Sequence, residues 1–214
     1  MDNNQLNNNA GFIKNLLNRA KRLLLNPQTE YIAIEKENTS HTKILTHYVL
    51  PLMVIPVLFI FIGYGLIGVS YEGYYVNDVE LGLRYAVLQI ILLLGSIYIS
   101  TLIINALSVK FGSTKNFNSA FALVAYAYTP IFFAGILFVW TEILWLIYPF
   151  GIYGFYLLIV GLKPMMKPAN EKADSYSAIS WIAVIVYVGL LKALEAVILP
   201  SMVAMPSFSI PSYF

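Results

Sequence analysis

The chain has no cysteine, which excludes disulfide staples and thiolate chemistry. Histidine is scarce: His41 and His47 have neither cysteine nor a carboxylate pair nearby, too few ligands for a metal site. Charge is scarce as well. Charged residues make up 11% of the 214 residues and hydrophobic ones 59%, a balance unsuited to a soluble domain of this size. The sequence holds no Gly-x-Ser-x-Gly, no phosphate-cradling Gly-rich loop and no His-Glu-x-x-His, so covalent catalysis, a cofactor and enzymatic activity are not expected. No basic face is large enough to grip a phosphate backbone, and nucleic-acid binding is not indicated. Period-2 alternation is weak, which argues against a barrel. No internal repeat is evident. The first apolar run follows a polar, basic segment spanning 1–43, so no signal peptide is expected and the first span is retained.

What the chain does have is long uncharged runs: 44–69, 85–109, 116–141, 143–162 and 175–191. A helix rising 1.5 Å per residue needs about 20 apolar residues to cross a hydrocarbon core about 30 Å thick. In lipid each backbone amide must be satisfied within its own segment, so helices are the natural solution. The fold class is therefore all-α: a polytopic membrane protein, a compact bundle of five transmembrane helices over 44–199, preceded by an amphipathic interfacial helix. The spans are expected at about 44–69, 84–109, 117–140, 143–162 and 177–199, a register set by length. The stretch between the third and fourth carries only one charge, Glu142, and the turn is placed at Trp140-Thr141-Glu142 rather than at 148–151.

The basic residues orient the bundle. Lys14, Arg19, Lys21, Arg22, Lys36 and Lys43 precede the first run; Lys110 and Lys115 lie between the second and third; Lys163, Lys167 and Lys172 lie between the fourth and fifth. Arg84 stands alone on the opposite side. Cytoplasmic loops accumulate Lys and Arg, which predicts a cytoplasmic N-terminus and an external tail at 200–214. The Asn-, Ile- and Lys-rich composition suits a bacterial inner membrane.

Before the bundle, 1–10 is Asn-rich and expected to be disordered. Over 11–25, Phe12, Ile13, Leu16, Leu17, Ala20, Leu23 and Leu24 recur at helical spacing. Lys14, Arg19, Lys21 and Arg22 share the remaining circumference and are candidate contacts for anionic lipid headgroups; the alternative is a helix packed on the ends of the spans. Asn26-Pro27 ends this helix, and 28–37 forms a second short one offering Tyr31, Ile32 and Ala33 for docking. Pro51 and Pro56 bend the first span. Gly63, Gly65 and Gly68, with the stripe Ser119, Ala122 and Ala125, are candidate helix-packing faces. Residues 70–83 read as an external loop with interfacial tyrosines.

Ionisable groups inside a membrane are the default place to seek function. Lys192 and Glu195, three apart on the fifth helix, can reach each other, either as an interfacial pair or as a buried ion or proton site. Tyr126, Tyr128, Tyr153 and Tyr156 could donate hydroxyls to a polar cavity or could be satisfied core tyrosines.

Several of these residues fall into a familiar order. The amphipathic helix is followed by Asn26-Pro27 with Tyr31, Ile32 and Glu35, then His47-Tyr48-Val49-Leu50-Pro51, Ala125-Tyr126-Ala127-Tyr128-Thr129-Pro130, and Tyr153 to Gly161-Leu162-Lys163. Over about 27–199 the chain resembles the prokaryotic branch of the Yip family, membrane proteins whose eukaryotic members interact with Rab GTPases. The resemblance implies a five-helix fold with a cytoplasmic N-terminus, and a trafficking-like or membrane-shaping role. A long N-terminal region with an Asp-Leu-Tyr-Gly-Pro-like motif is missing, which puts GTPase binding in doubt. The functional expectation is a non-enzymatic adaptor or organiser whose partners are anionic lipids, other membrane proteins or itself. The rival expectation is a small-solute or ion transporter or channel. Five helices without an inverted repeat match most secondary transporters poorly.

Overall fold

The computed structural model describes residues 3–71 and 74–203, without the side chains of 3–9, 69–76, 141, 142, 192 and 194–203. Among the described residues, five helical segments are long and apolar enough to cross a membrane: His41–Ile67, Val79–Phe111, Phe117–Val139, Ile143–Met166 and Asn170–Leu191. These are the five spans, taken in chain order. Two helices precede them, α1 (Asn3–Leu25) and α2 (Pro27–Glu37).

The third span is the axis of the bundle. Buried positions make up 61% of its apolar window, against 17–33% in the other four. Every residue from Ala120 to Ala127 is buried, because four alanines in eight positions let neighbouring helices close on it from several sides. Pro130 divides this span. The α-helix Phe117–Ala127 stops, a second begins at Thr129, and the segment tightens into the 3-10 turn Gly135–Val139. The third and fourth spans separate at Trp140, whose φ of −118° and ψ of 97° are extended. The expected turn position is therefore the observed one.

The first span is irregular for a physical reason. Pro51 and Pro56 each remove a backbone donor, and wide π-helical turns at Leu45–Val49 and Phe61–Ile67 flank the α-helix Leu50–Ile60. Gly68 ends the span with φ 97°, a conformation that favours glycine. Gly63 and Gly65 make close helix contacts with their partners. A Cβ on Gly63 would stand 2.0 Å from the Phe138 carbonyl oxygen, one on Gly82 2.5 Å from Gly65 Cα, and one on Gly135 2.4 Å from Pro56 Cβ. The first span thus touches the second and third almost backbone to backbone. Among the expected small-residue stripe, Ala122 and Ala125 are buried and Ser119 is half-buried.

Four sequence expectations are corrected. Residues 3–10 are helical, since α1 begins at Asn3. Asparagines that disfavour a free helix are carried by its continuation into the docked part. The segment 70–83 is not a plain loop: Val69–Tyr71 (β1) pairs antiparallel with Tyr74–Val76 (β2), and the second span starts at Val79, where the Asp78 side chain accepts from the Glu80 amide. The fifth-span helix starts at Ala173 and continues through Pro200 to Val203, the proline sacrificing one hydrogen bond without ending the helix. Beyond Val203 the expected external tail lies outside the described residues.

Candidate functional site

The site with the densest polar chemistry lies at the end of the bundle that carries α1 and α2. Asn26-Pro27 turns the chain sharply: α1 stops at Leu25, and Pro27 occupies the first turn of α2, where a missing N–H costs nothing. The two helices lie against each other, and charge closes the seam. Arg19 Nη1 donates to Glu37 Oε2 at 2.9 Å and Nη2 to Oε1 at 2.5 Å, a two-pronged grip. Arg22 Nε and Nη2 donate to the two oxygens of Glu30 at 2.7 and 3.0 Å. Arg19 also stands 3.7 Å from Glu30. Glu30 itself is buried, with 6% of its surface exposed, so its carboxylate depends on these cations.

Burial works against the Arg19 charge, but the hydrogen bond and charge of Glu37, with help from Tyr126, outweigh it and raise its pKa. The Glu30 hydrogen bond, opposed by slight burial, raises that of Arg22. Both therefore stay charged throughout the physiological range.

The helical pair is fixed to the bundle by tyrosines. Tyr31 is fully buried and donates to the Leu123 carbonyl at 3.3 Å; burial pushes its phenol well above the usual 10. Its ring is why position 161 is glycine, since a Cβ there would lie 2.6 Å from it. Tyr153 donates to the Leu24 carbonyl at 2.6 Å, satisfying a free acceptor at the end of α1. Tyr126 meets Arg19 Nη1 at 3.4 Å and lies edge-on to Tyr48, whose hydroxyl shares a 2.7 Å hydrogen bond with Thr129. Lys167 Nζ donates to Glu35 at 2.5 Å, pinning α2 to the end of the fourth span. His41 at the start of the first span donates its backbone amide to Asn118 Oδ1 at 3.0 Å. The motif segments that lie apart in sequence, Tyr31 with Glu35, His47-Tyr48, Tyr126 to Thr129 and Tyr153 to Gly161, therefore converge here.

A search against family models matches the Yip1 domain over residues 21–191. The chain belongs to the Yip1 family. No curated protein and no solved structure matches it. For the Yip1 domain, the matched segment begins within α1 and ends in the fifth span, so it takes in the α1–α2 seam as well as the bundle.

Of the four expected headgroup contacts, Lys14 and Lys21 are exposed, whereas Arg19 and Arg22 are engaged by the carboxylates of α2. Of the four tyrosines, Tyr126 and Tyr153 belong to this seam. Tyr128 faces the serines of the second span instead, and Tyr156 is half exposed against the Tyr153 ring at 5.5 Å. Lys192 and Glu195 lie on the fifth-span helix, but their side chains fall outside the described residues. The roles of Glu30 and Glu37 were missed from sequence. Their signal was present: two acids seven apart on α2 face two arginines three apart on α1 across a proline turn.

Two recesses flank the seam. One of about 290 Å³ is bounded by Phe12, Arg19, Glu37, Lys43, His47 and Tyr126. A wider groove of about 680 Å³ runs between α2 and the last two spans, with Ile32, Ile159 and Trp181 on its apolar wall and the Lys163–Asp174 pair at its edge. Along α1, Phe12, Ile13 and Leu17 are exposed at 37%, 53% and 46%.

Proposed function

We propose that this Yip1-family protein is a non-enzymatic membrane adaptor, of the prokaryotic branch, that organises lipids and other membrane proteins through lateral contacts. The observation that carries the reading is the divided role of α1. Its C-terminal half is clamped by Arg19, Arg22 and Tyr153. Ahead of the clamp it presents Phe12, Ile13 and Leu17 beside exposed Lys14, and Lys21 is exposed between the two clamping arginines. Apolar residues flanked by lysines suit the boundary between anionic headgroups and acyl chains. The lysine-rich loops support a cytoplasmic location for this end and an external one for the β1–β2 hairpin. A bacterial inner membrane suits the composition.

The test uses the full chain in nanodiscs. A fluorophore on a cysteine replacing Ile13 should be quenched by lipids carrying a shallow quencher, more strongly when the lipid is anionic. Lipids and partner proteins retained in native mass spectrometry should be lost from the F12N/I13N/L17N variant. A fluorophore in bulk water with an unchanged retained set would remove the adaptor reading.

A second reading, a small-solute transporter, draws on Gln89, Ser96 and Tyr128 around a cavity inside the bundle. Solute flux into liposomes that depends on these residues or on Glu195, with no retained partner, would put it first.

A further inference from the structure

We infer that the centre of the bundle is a binding site for a neutral, membrane-soluble carbonyl compound, held beside Ser100. A cavity of about 370 Å³ lies among the second, third, fourth and fifth spans. Small-ligand sites run from roughly 300 to 1,000 Å³. Its wall is mostly apolar, including Leu93, Val124, Phe155 and Val184, and none of the described residues lining it is Asp, Glu, Lys or Arg. A charged ligand would lose its hydration there with no counter-charge among those residues, which favours an uncharged occupant.

One side of the wall is polar and unsatisfied. Ser100 is fully buried, yet its Oγ makes no hydrogen bond. The Tyr128 hydroxyl approaches both Ser96 and Ser100 without completing the hydrogen bonding of Ser100 Oγ. On the fifth span the buried hydroxyl of Tyr187, outside the cavity lining, also has no partner. The second and third spans thus bring hydroxyls to one place on the wall, with Ser96 near the middle of Val79–Phe111.

At that depth hydrocarbon supplies no water to finish these hydrogen bonds, and a buried hydroxyl without a partner is costly. Hydroxyl donors need an acceptor, and a carbonyl oxygen offers two lone pairs, enough for two O–H groups at once. The ester carbonyls of a normally seated phospholipid sit about 15 Å away, at the edge of a core about 30 Å thick. The ligand therefore brings its own carbonyl on a compact apolar body, as a ketone or quinone does. Tyr148 and Ile152 line the cavity and are strongly exposed on the fourth span, so the site opens sideways to lipid. Gly151 stands between them in sequence, with no atom within 4 Å of where its Cβ would be.

The experiment uses the full chain in nanodiscs, titrated with methyl nonyl ketone whose carbonyl is isotopically labelled, and follows the carbonyl stretch by infrared spectroscopy. Wild type should show a saturable band shifted to lower frequency than the ketone in empty nanodiscs. Undecane, of equal length without the carbonyl, should compete at least about tenfold less well. Ser100→Ala should weaken saturation by about tenfold with the melting temperature retained. Gly151→Leu should abolish the band by filling the mouth, and it decides the matter if Ser100→Ala does not fold. A folded wild type with only the bulk band, equal competition by undecane, or a band unchanged in either folded variant would overturn the site.

Discussion

Arg19 on α1 and Glu37 at the last turn of α2 face each other in a two-pronged ion pair, with distances of 2.9 and 2.5 Å. This pair is the outer clasp of the seam, and the Arg22–Glu30 pair, with its buried carboxylate, is the inner one. Exposure separates their energetic weights. Glu37 is 40% exposed at its side chain and Glu30 only 7%.

Removing Glu37 should therefore cost little, about 0.2–1 kcal/mol for a solvent-screened pair. Glu30→Ala leaves two arginines without their buried partner and should cost more, about 1.5–3 kcal/mol. Hydrogen exchange of the α1 amides checks the ranking: exchange should speed up markedly in Glu30→Ala and slightly in Glu37→Ala. Equal effects would mean that the clasp does not hold α1.

Tyr31 anchors α2 through packing more than through its hydroxyl. Tyr31→Phe loses one long hydrogen bond to Leu123 O and should cost about 1 kcal/mol. Tyr31→Ala empties a fully buried position and should cost about 3–5 kcal/mol. Thermal unfolding in a mild detergent distinguishes the two, and comparable losses would place the weight on the hydroxyl.

The glycine contacts predict an asymmetric pair of substitutions. Gly63→Ala drives a methyl to 2.0 Å from the Phe138 carbonyl and should destabilise by about 1–3 kcal/mol or more through overpacking. Gly95→Ala meets nothing within 4 Å and should stabilise the second span by roughly 0.5–1 kcal/mol through helix propensity. The same thermal assay reads both, and a neutral Gly63→Ala would contradict the backbone-to-backbone approach.

Topology is tested with single cysteines, since the native chain has none. Ser113 is an unsuitable site because it is buried and its Oγ donates to the Met166 carbonyl. Thr114 and Asn77 are exposed. Cysteines there should react with a membrane-impermeant maleimide from opposite faces, Thr114→Cys from the cytoplasmic one. Reaction of both from one face would break the five-span arrangement.

The number and rough limits of the spans were legible in the sequence, because hydrocarbon thickness sets a length that any apolar run must meet. So was the break at Trp140, preferred over a turn at 148–151 in a run too long for a single crossing. The docking of Tyr31 was anticipated, while Ile32 beside it proves exposed at 48%; periodicity marks a face without telling which helix will cover it. The amphipathic pattern of α1 was equally visible, but whether its arginines meet lipid or protein depends on what α2 brings alongside. Folding back at Asn26-Pro27 brings Glu30 and Glu37 into direct ion pairs with Arg19 and Arg22, and a charge paired at close range interacts more strongly than a screened one.

The sequence by itself thus determined an all-helical five-span chain, because lipid leaves the backbone few ways to satisfy its hydrogen bonds. Only the tertiary structure decided which small residues touch. Gly63 meets Phe138 and Gly82 meets Gly65, and Gly68 takes a positive φ. It also gathered Ser96, Ser100 and Tyr128 from two helices onto one wall. Such convergence depends on helix rotation and close approach, which side-chain shape fixes in three dimensions and which no spacing along the chain records.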